Sequence, residues 1–340
     1  NSEDRITAPL TRSGDELAPT GWAAALGAVT DALTDVDPAR IGVIGGARLT
    51  NESQYAWTKL AKGVLGTDNV DAQLGDGLPV EAVLGLPRAT INQACTPGGT
   101  VILVGPDPKE DLGALFLRLR HAVVNDGTTL IELTPTRTGL STIAAHSLHP
   151  KPGEVDLLAA ALVDAVSGDA RDAAGVPADA IAAAAAAISG PVTVVLGRAS
   201  VAESAAVTVD AAIALNRLEG VGFLSALRRG NVHGALDMGM APGLLPGRVP
   251  LNAGCDAFDQ VPTEVGMDTI AMLEAAAAGD LDVLVLLGSD PLSDVPDADL
   301  AERGLAGAGT VIAVEMLPNA STLAHACLLY TSDAADEVLG

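Results

Sequence analysis

Two stretches decide the fold: Val101-Ile102-Leu103-Val104-Gly105-Pro106-Asp107-Pro108 and Val285-Leu286-Leu287-Gly288-Ser289-Asp290-Pro291. Each is a short, uninterrupted apolar run that ends on Gly and passes through Asp-Pro into a helical stretch. Such runs, bounded by turn residues, read as strands buried on both faces. Each is then followed by a Gly and a further strand, at 129–133 and 310–314. Gly105 to Gly127 is 22 positions and Gly288 to Gly309 is 21. A second pair of segments repeats as well. Ile41-Gly42-Val43-Ile44-Gly45-Gly46 leads to Asn51-Glu52-Ser53, and Val192-Thr193-Val194-Val195-Leu196-Gly197 leads to Ala202-Glu203-Ser204. Matching order and spacing point to an internal duplication.

Working outward, further apolar runs at 40–44 and 191–196 alternate with helical candidates at 21–33, 52–65, 112–124 and 155–166. Residues 167–187, almost pure Ala with Asp and Gly, read as a helix entered near Val176-Pro177. Strand–helix alternation predicts an α/β fold with parallel sheets covered on both faces. The expected architecture is two related open-sheet, Rossmann-like lobes, one inserted in the other and facing a shared cleft. An N-terminal segment at 1–34 precedes a discontinuous lobe at 35–80 and 188–326, with the inserted lobe at 86–166.

Composition narrows the function. With 19 Lys and Arg against 43 Asp and Glu, the net charge of −24 repels phosphate backbones and argues against nucleic-acid binding. A mean hydropathy of +0.35 with 18% charged residues excludes a disordered acidic chain. The apolar runs fall well short of the roughly 20 residues that span a bilayer, so no direct membrane insertion is expected. Cys95, Cys255 and Cys327 are too far apart for a clustered metal or iron–sulfur pattern, and no disulfide framework is suggested, which fits a reducing compartment. No signal peptide is written at the start, and an opening on Asn1 suggests a piece of a longer protein.

Open parallel sheets bind ligands at the carboxyl ends of their strands. Gly105, Asp107, Gly288, Ser289 and Asp290 are therefore the candidate cleft residues. Gly permits a close backbone approach, Asp caps the next helix or accepts from a ribose hydroxyl, and Pro starts the helix. The same residues also make an efficient strand-to-helix turn with no ligand at all, and both readings stand at this level. His146 and His149 lack a third metal ligand in sequence, and Cys95 lacks a basic neighbour that would activate a thiol. No metal site and no catalytic residue are assigned. The Gly- and Pro-rich stretch at 227–248 reads as a long ordered loop. Its Arg228, Arg229 and Arg248 pair with carboxylates of this chain or a partner, or face an anionic ligand.

Certain motifs carry a resemblance to a known family. Arg5-Ile6-Thr7-Ala8-Pro9-Leu10-Thr11-Arg12, followed by Trp22-Ala23-Ala24-Ala25-Leu26, resembles the "R-I-x-x-P-L-x-R" and "W-x-x-A-L" opening of the molybdopterin oxidoreductase fold. Asn231-Val232-His233-Gly234-Ala235-Leu236-Asp237-Met238-Gly239 resembles the "N-x-x-G-A-x-D-M-G" segment of one branch, as do Gly45–Thr50 and Leu317–Thr322. That branch is the large iron–sulfur subunit of bacterial NADH-quinone oxidoreductase (respiratory complex I). The resemblance covers about residues 5–325. It implies a scaffold without cofactor chemistry in this segment, with [4Fe–4S] and [2Fe–2S] clusters in a region N-terminal to it. It further implies other respiratory subunits as partners and a peripheral place on the cytoplasmic side of the plasma membrane. The alternative it leaves is an active molybdopterin-dependent enzyme holding a molybdopterin guanine dinucleotide between the lobes. From Cys327 to Gly340 the chain departs from the family and resembles translated sequencing-adapter read-through, so a non-native tail is expected at 327–340.

Overall fold

A computed structural model describes residues 3–200 and 203–330. In chain order its strands are β1 (Leu10–Ser13), β2 (Glu16–Pro19), β3 (Ile41–Gly45), β4 (Val70–Asp71), β5 (Thr100–Val104), β6 (Thr129–Leu133) and β7 (His146–Leu148). They continue as β8 (Val192–Leu196), β9 (Gly222–Ser225), β10 (Leu244–Leu245), β11 (Val249–Pro250), β12 (Val283–Leu287), β13 (Thr310–Val314) and β14 (Leu328–Tyr330). They divide between two compact units, Asn1–Asp76 with Arg229–Gly340 (unit 1) and Gly77–Arg228 (unit 2).

Unit 2 is built on a five-stranded parallel sheet in the order β7-β6-β5-β8-β9. All five residues of β5 and of β8 are buried, as continuous Val, Ile and Leu runs require when helices cover both faces. The helix Gly113–Asn125 packs Leu115 and Leu119 against Val101, Leu103, Leu130 and Val195. The Ala-rich stretch narrows to a helix at Ala178–Ala186, with Pro177 at its N-cap.

In unit 1, five parallel strands run β14-β13-β12-β3-β4, extended by antiparallel β1 and β2. The core beneath them gathers Ile44, Leu284 and Leu286 with Met272, Leu273, Leu300 and Leu305. The two parallel series correspond strand for strand: β14, β13, β12, β3 and β4 stand where β7, β6, β5, β8 and β9 stand in unit 2. Leu287 is level with Gly45, and Val104 with Leu196, which reproduces the register of the sequence repeat.

The boundaries differ from those expected. Residues 192–228 belong to unit 2, because β8 and β9 complete the sheet of β5 rather than joining the 35–80 and 188–326 lobe. The likeness of β8 to β3 is that of counterparts in two sheets, which sequence similarity alone does not distinguish from membership of one. Nor is 1–34 a separate segment, since β1 and β2 edge the sheet of unit 1. Leu328 pairs in register with Ile312, so this part of the expected 327–340 tail is a sheet strand; residues 331–340 lie outside the described residues. The expected helix at 52–65 is an α-helix at Asn51–Thr58 continued by a π-helical stretch at Lys59–Leu65. The 227–248 segment is not wholly loop: it holds the helix Val232–Asp237 and β10, which pairs with β11 just beyond the segment. Among the described residues no helix is long and apolar enough to cross a membrane.

Candidate functional site

The carboxyl ends of β3, β12 and β13 in unit 1 surround a cavity of about 370 Å³. Arg48, Leu49, Thr50 and Ser53 line it from the β3 side, Gly288 from the β12 turn, and Val314, Glu315 and Met316 from the end of β13. The equivalent place in unit 2, between Val104, Gly105, Leu133, Pro135 and Gly197, encloses only about 10 Å³, on the scale of one water. Duplicated sheets thus end in unlike crests.

The turns explain part of this difference. In unit 2, Gly105 has φ +133°, and a Cβ there would lie 2.5 Å from the Gly197 carbonyl oxygen. Its lack of a side chain serves this close approach to the neighbouring turn. Asp107 caps the helix Pro108–Asp111 by accepting from the Lys109 N–H at 2.9 Å, and its other oxygen accepts from the Gly139 N–H at 2.8 Å. In unit 1, Ser289 is buried and its hydroxyl donates to the Ile44 carbonyl at 3.1 Å. Asp290 accepts from the backbone N–H of Ser321 at 3.0 Å and from its hydroxyl, while its second oxygen accepts from the Ser293 hydroxyl at 2.8 Å. Of the five sequence candidates only Gly288 lines the larger cavity; the others are engaged in holding their turns.

Two charged residues that the sequence reading did not single out, Arg48 and Glu315, carry the chemistry of the unit 1 cavity. Arg48 forms a bidentate pair with Asp294, at 2.8 and 3.0 Å, and also donates to the Gly288 carbonyl at 3.0 Å. The Asp294 bond holds the guanidinium above its ordinary value against the opposing effect of burial. Glu315 follows β13 directly and is pushed up to about 7, chiefly by burial. The Arg48 charge and the Ser289 N–H oppose this rise, and Asp290 and Asp294 add to it. A carboxyl that exchanges a proton near neutrality therefore faces a cavity walled by Leu49, Val314 and Met316. A charged residue directly after a buried β-branched strand was the available signal.

Behind this wall the charges continue inward. Asp294 lies 3.8 Å from Arg229, which pairs with Asp76 at 2.7 Å. Arg248 pairs with Asp237 at 2.7 Å. Two of the three arginines of the 227–248 segment thus have partners within unit 1. His149 contacts the Thr134 carbonyl at 2.9 Å, and the Cys95 thiol is pushed up by burial. Among the described residues no group of three or more His, Cys, Asp or Glu side chains is placed to hold a metal ion.

The family model for molybdopterin oxidoreductases matches residues 5–328. The chain belongs to the molybdopterin oxidoreductase family. Among curated members, the G subunit of NADH-quinone oxidoreductase from Streptomyces coelicolor is 31% identical over 93% of this chain and 40% of its own length. The alpha subunit of the NADPH-Fe(3+) oxidoreductase of Geobacter sulfurreducens is 24% identical over 100% of this chain and 46% of its own. The chain therefore spans less than half the length of these relatives. Among solved structures, acetylene hydratase from Pelobacter acetylenicus superposes with a TM-score of 0.68 at 14% identity, over 96% of this chain and 55% of that one. That likeness concerns the fold.

Membership of the molybdopterin oxidoreductase family raises the question whether a pterin dinucleotide fits these turns. The crest of unit 2 lacks the volume, and the polar atoms of Asp107, Ser289 and Asp290 are bound to the protein's own backbone and hydroxyls. These residues do not fit the group as ligands.

Proposed function

We propose that this chain is the scaffold part of an iron–sulfur subunit of an NADH:quinone oxidoreductase, supporting electron transfer from NADH toward quinone with no cofactor chemistry of its own. The supporting observation is the internal engagement of the turn residues that would otherwise meet a cofactor, above all Asp290 with Ser321. The 31% identity to the large subunit of such an enzyme, over nearly the whole chain, supports the same assignment. In this reading the clusters reside in other parts of the polypeptide. The protein sits peripherally on the cytoplasmic side of the membrane as one subunit of a larger complex.

Family membership supports a second reading, an active molybdopterin-dependent oxidoreductase that binds a molybdopterin guanine dinucleotide through residues other than Asp107, Ser289 and Asp290. Elemental analysis separates the two when the parent gene is expressed in a host that assembles molybdenum cofactors. The scaffold reading expects no stoichiometric molybdenum or tungsten and co-purification with respiratory subunits. A stoichiometric metal overturns it. Thermal shift with GTP, GMP and NADH adds a second measure, since a ligand at 100 times its Kd stabilises by about 2.7 kcal/mol.

A further inference from the structure

In unit 1 the helix Trp22–Leu33 leaves most of its apolar surface in water. Ala25 is its one fully buried residue, with Ala28, Val29, Ala32 and Leu33 half-buried. At 100° per residue, Leu26 and Thr30 turn away from Ala25, Ala28 and Ala32, and Trp22, Ala23 and Gly27 lie beside them. All five of these outer residues are exposed, Trp22 by 39% and Leu26 by 54%. Ala23 and Gly27, one turn apart, leave a shallow strip next to Leu26 in which a second helix can settle. A helix of 12 residues is marginal alone and depends on packing, yet the side packed here is mostly Ala.

The charge around this face has one sign. No Lys, Arg or His occurs between Arg12 and Arg40, whereas Asp15, Glu16, Asp31, Asp35 and Asp37 do, and all five are exposed. The two flanking cations are engaged elsewhere. Arg12 donates to the carbonyls of Leu323 and Ala326 at 2.6 and 2.8 Å, and Arg40 forms a bidentate pair with Asp282 at 2.8 and 2.9 Å. Asp31 stands in the last helical turn and Asp35 just past it, at the end where the helix dipole is negative and favours cations. We propose that this face docks a basic amphipathic helix of a partner protein. The partner's aliphatic side chains cover Leu26 and Trp22 and fill the strip over Ala23 and Gly27, while its Lys or Arg side chains reach Asp31 and Asp35. Charge selects this occupant, because the whole chain, at −24, attracts it. A second copy brings carboxylates against carboxylates, and an anionic membrane or a nucleic acid is repelled. The rim charges set association rate and selectivity, and the apolar anchors set the register.

The inference stands independently of the proposed function and is tested on the full 340-residue chain. Labelled helical peptides of about 15 residues are compared by fluorescence anisotropy. One carries Leu at i, i+4 and i+7 with Lys at the intervening positions, a second the same Leu anchors with Glu, and a third Ser in place of Leu with Lys kept. The Leu–Lys peptide is expected to bind at least about tenfold tighter than either of the others. L26S and, separately, D31N/D35N should each weaken it by about tenfold. D169N/E219Q removes the same charge from exposed positions of unit 2 and should change it by less than about twofold. These substitutions alter exposed side chains, and Asn tolerates the left-handed backbone of Asp35 at φ +60°. The proposal is overturned if the Leu–Lys peptide fails to bind, if the Leu–Glu or Ser–Lys peptide binds equally well, or if L26S or D31N/D35N binds undiminished. Equal losses in D31N/D35N and D169N/E219Q overturn it too, since binding would then follow overall charge.

Discussion

Asp76 and Arg229 lie 153 positions apart and form a bidentate ion pair at 2.7 and 3.1 Å, with both side chains almost wholly withdrawn from water. Asp76 is the last residue before unit 2 is inserted and Arg229 the first after it. The pair therefore fixes, within unit 1, the two points at which the chain leaves and returns. Arg229 does so at φ +79°, a left-handed conformation that costs a non-glycine residue about 1–2 kcal/mol.

Removing one partner of such a pair leaves a buried charge uncompensated. D76N is expected to destabilise the protein by about 3–5 kcal/mol, whereas D76L/R229M should recover much of that loss. Denaturant titration of the three proteins measures both. A D76N variant as stable as the parent would show that Arg229 is held by its other neighbours, the Gln73 carbonyl at 3.2 Å and Asp294.

The parallel strands β3, β5, β6, β8, β12 and β13 were legible because each is a five-residue, mostly apolar run that cannot be left in water, and the duplication matched their register; the short strands β4, β7, β9 and β14 were not read, being too brief or too polar to stand out. The assignment of 192–228 was not legible, since β8 is as similar to β3 as a neighbour in one sheet would be. At the cavity, Gly288 was found from its turn. Arg48 and Glu315 were missed because each is a lone charge in sequence. Their meaning arises only when the fold brings Arg48 to Asp294, 246 positions away, and the end of β13 to the β12 turn, where Glu315 meets the Ser289 N–H.

Glu315 makes the stability of unit 1 depend on pH. Its carboxyl rises from an ordinary 4.5 to about 7 in the folded protein, so the folded state holds a proton that the unfolded chain has released. Stability is therefore highest below about 4.5 as far as this group is concerned, and falls as pH rises through about 7. The full linkage is about 3 kcal/mol, and partial solvent exposure reduces the measurable part to about 1–2 kcal/mol. E315Q should flatten this slope and be more stable than the parent at pH 8. Urea midpoints at several pH values between 5 and 8 check it; parallel slopes in the two proteins would contradict the assignment.

Gly45 is constrained by its surroundings as well as by its backbone. At φ +104°, a Cβ would lie 2.4 Å from the Leu287 carbonyl oxygen and 2.8 Å from the Ser289 side chain. G45A is therefore expected to lower stability by well over about 1 kcal/mol. G14A serves as the control: its φ is also positive, at +63°, but nothing lies within 4 Å. It should show only the conformational cost. Equal melting temperatures for the two variants would mean that the β3–β12 crest yields to the added methyl group.

Lys62 shows most directly how a charge can be structural. It is fully buried on the Lys59–Leu65 stretch, 2.6 Å from Asp68, and donates to the carbonyls of Ala241 and Leu244 at 2.7 Å each. Asp68 in turn accepts from the N–H groups of Gly243 and Gly266 at 2.6 and 2.9 Å. Burial pushes the ammonium below its ordinary value, and the attraction of Asp68 opposes that effect. One ion pair thus ties four backbone points of the irregular 241–266 region to the end of one helix. K62M should cost about 3–5 kcal/mol by stranding the carboxylate. Because the two residues act as a unit, K62M/D68N should cost less than the sum of the single variants by about 1–3 kcal/mol. A double-mutant cycle on denaturation free energies decides the matter, and strict additivity would mean that the loop is held by its glycines and apolar contacts rather than by this pair.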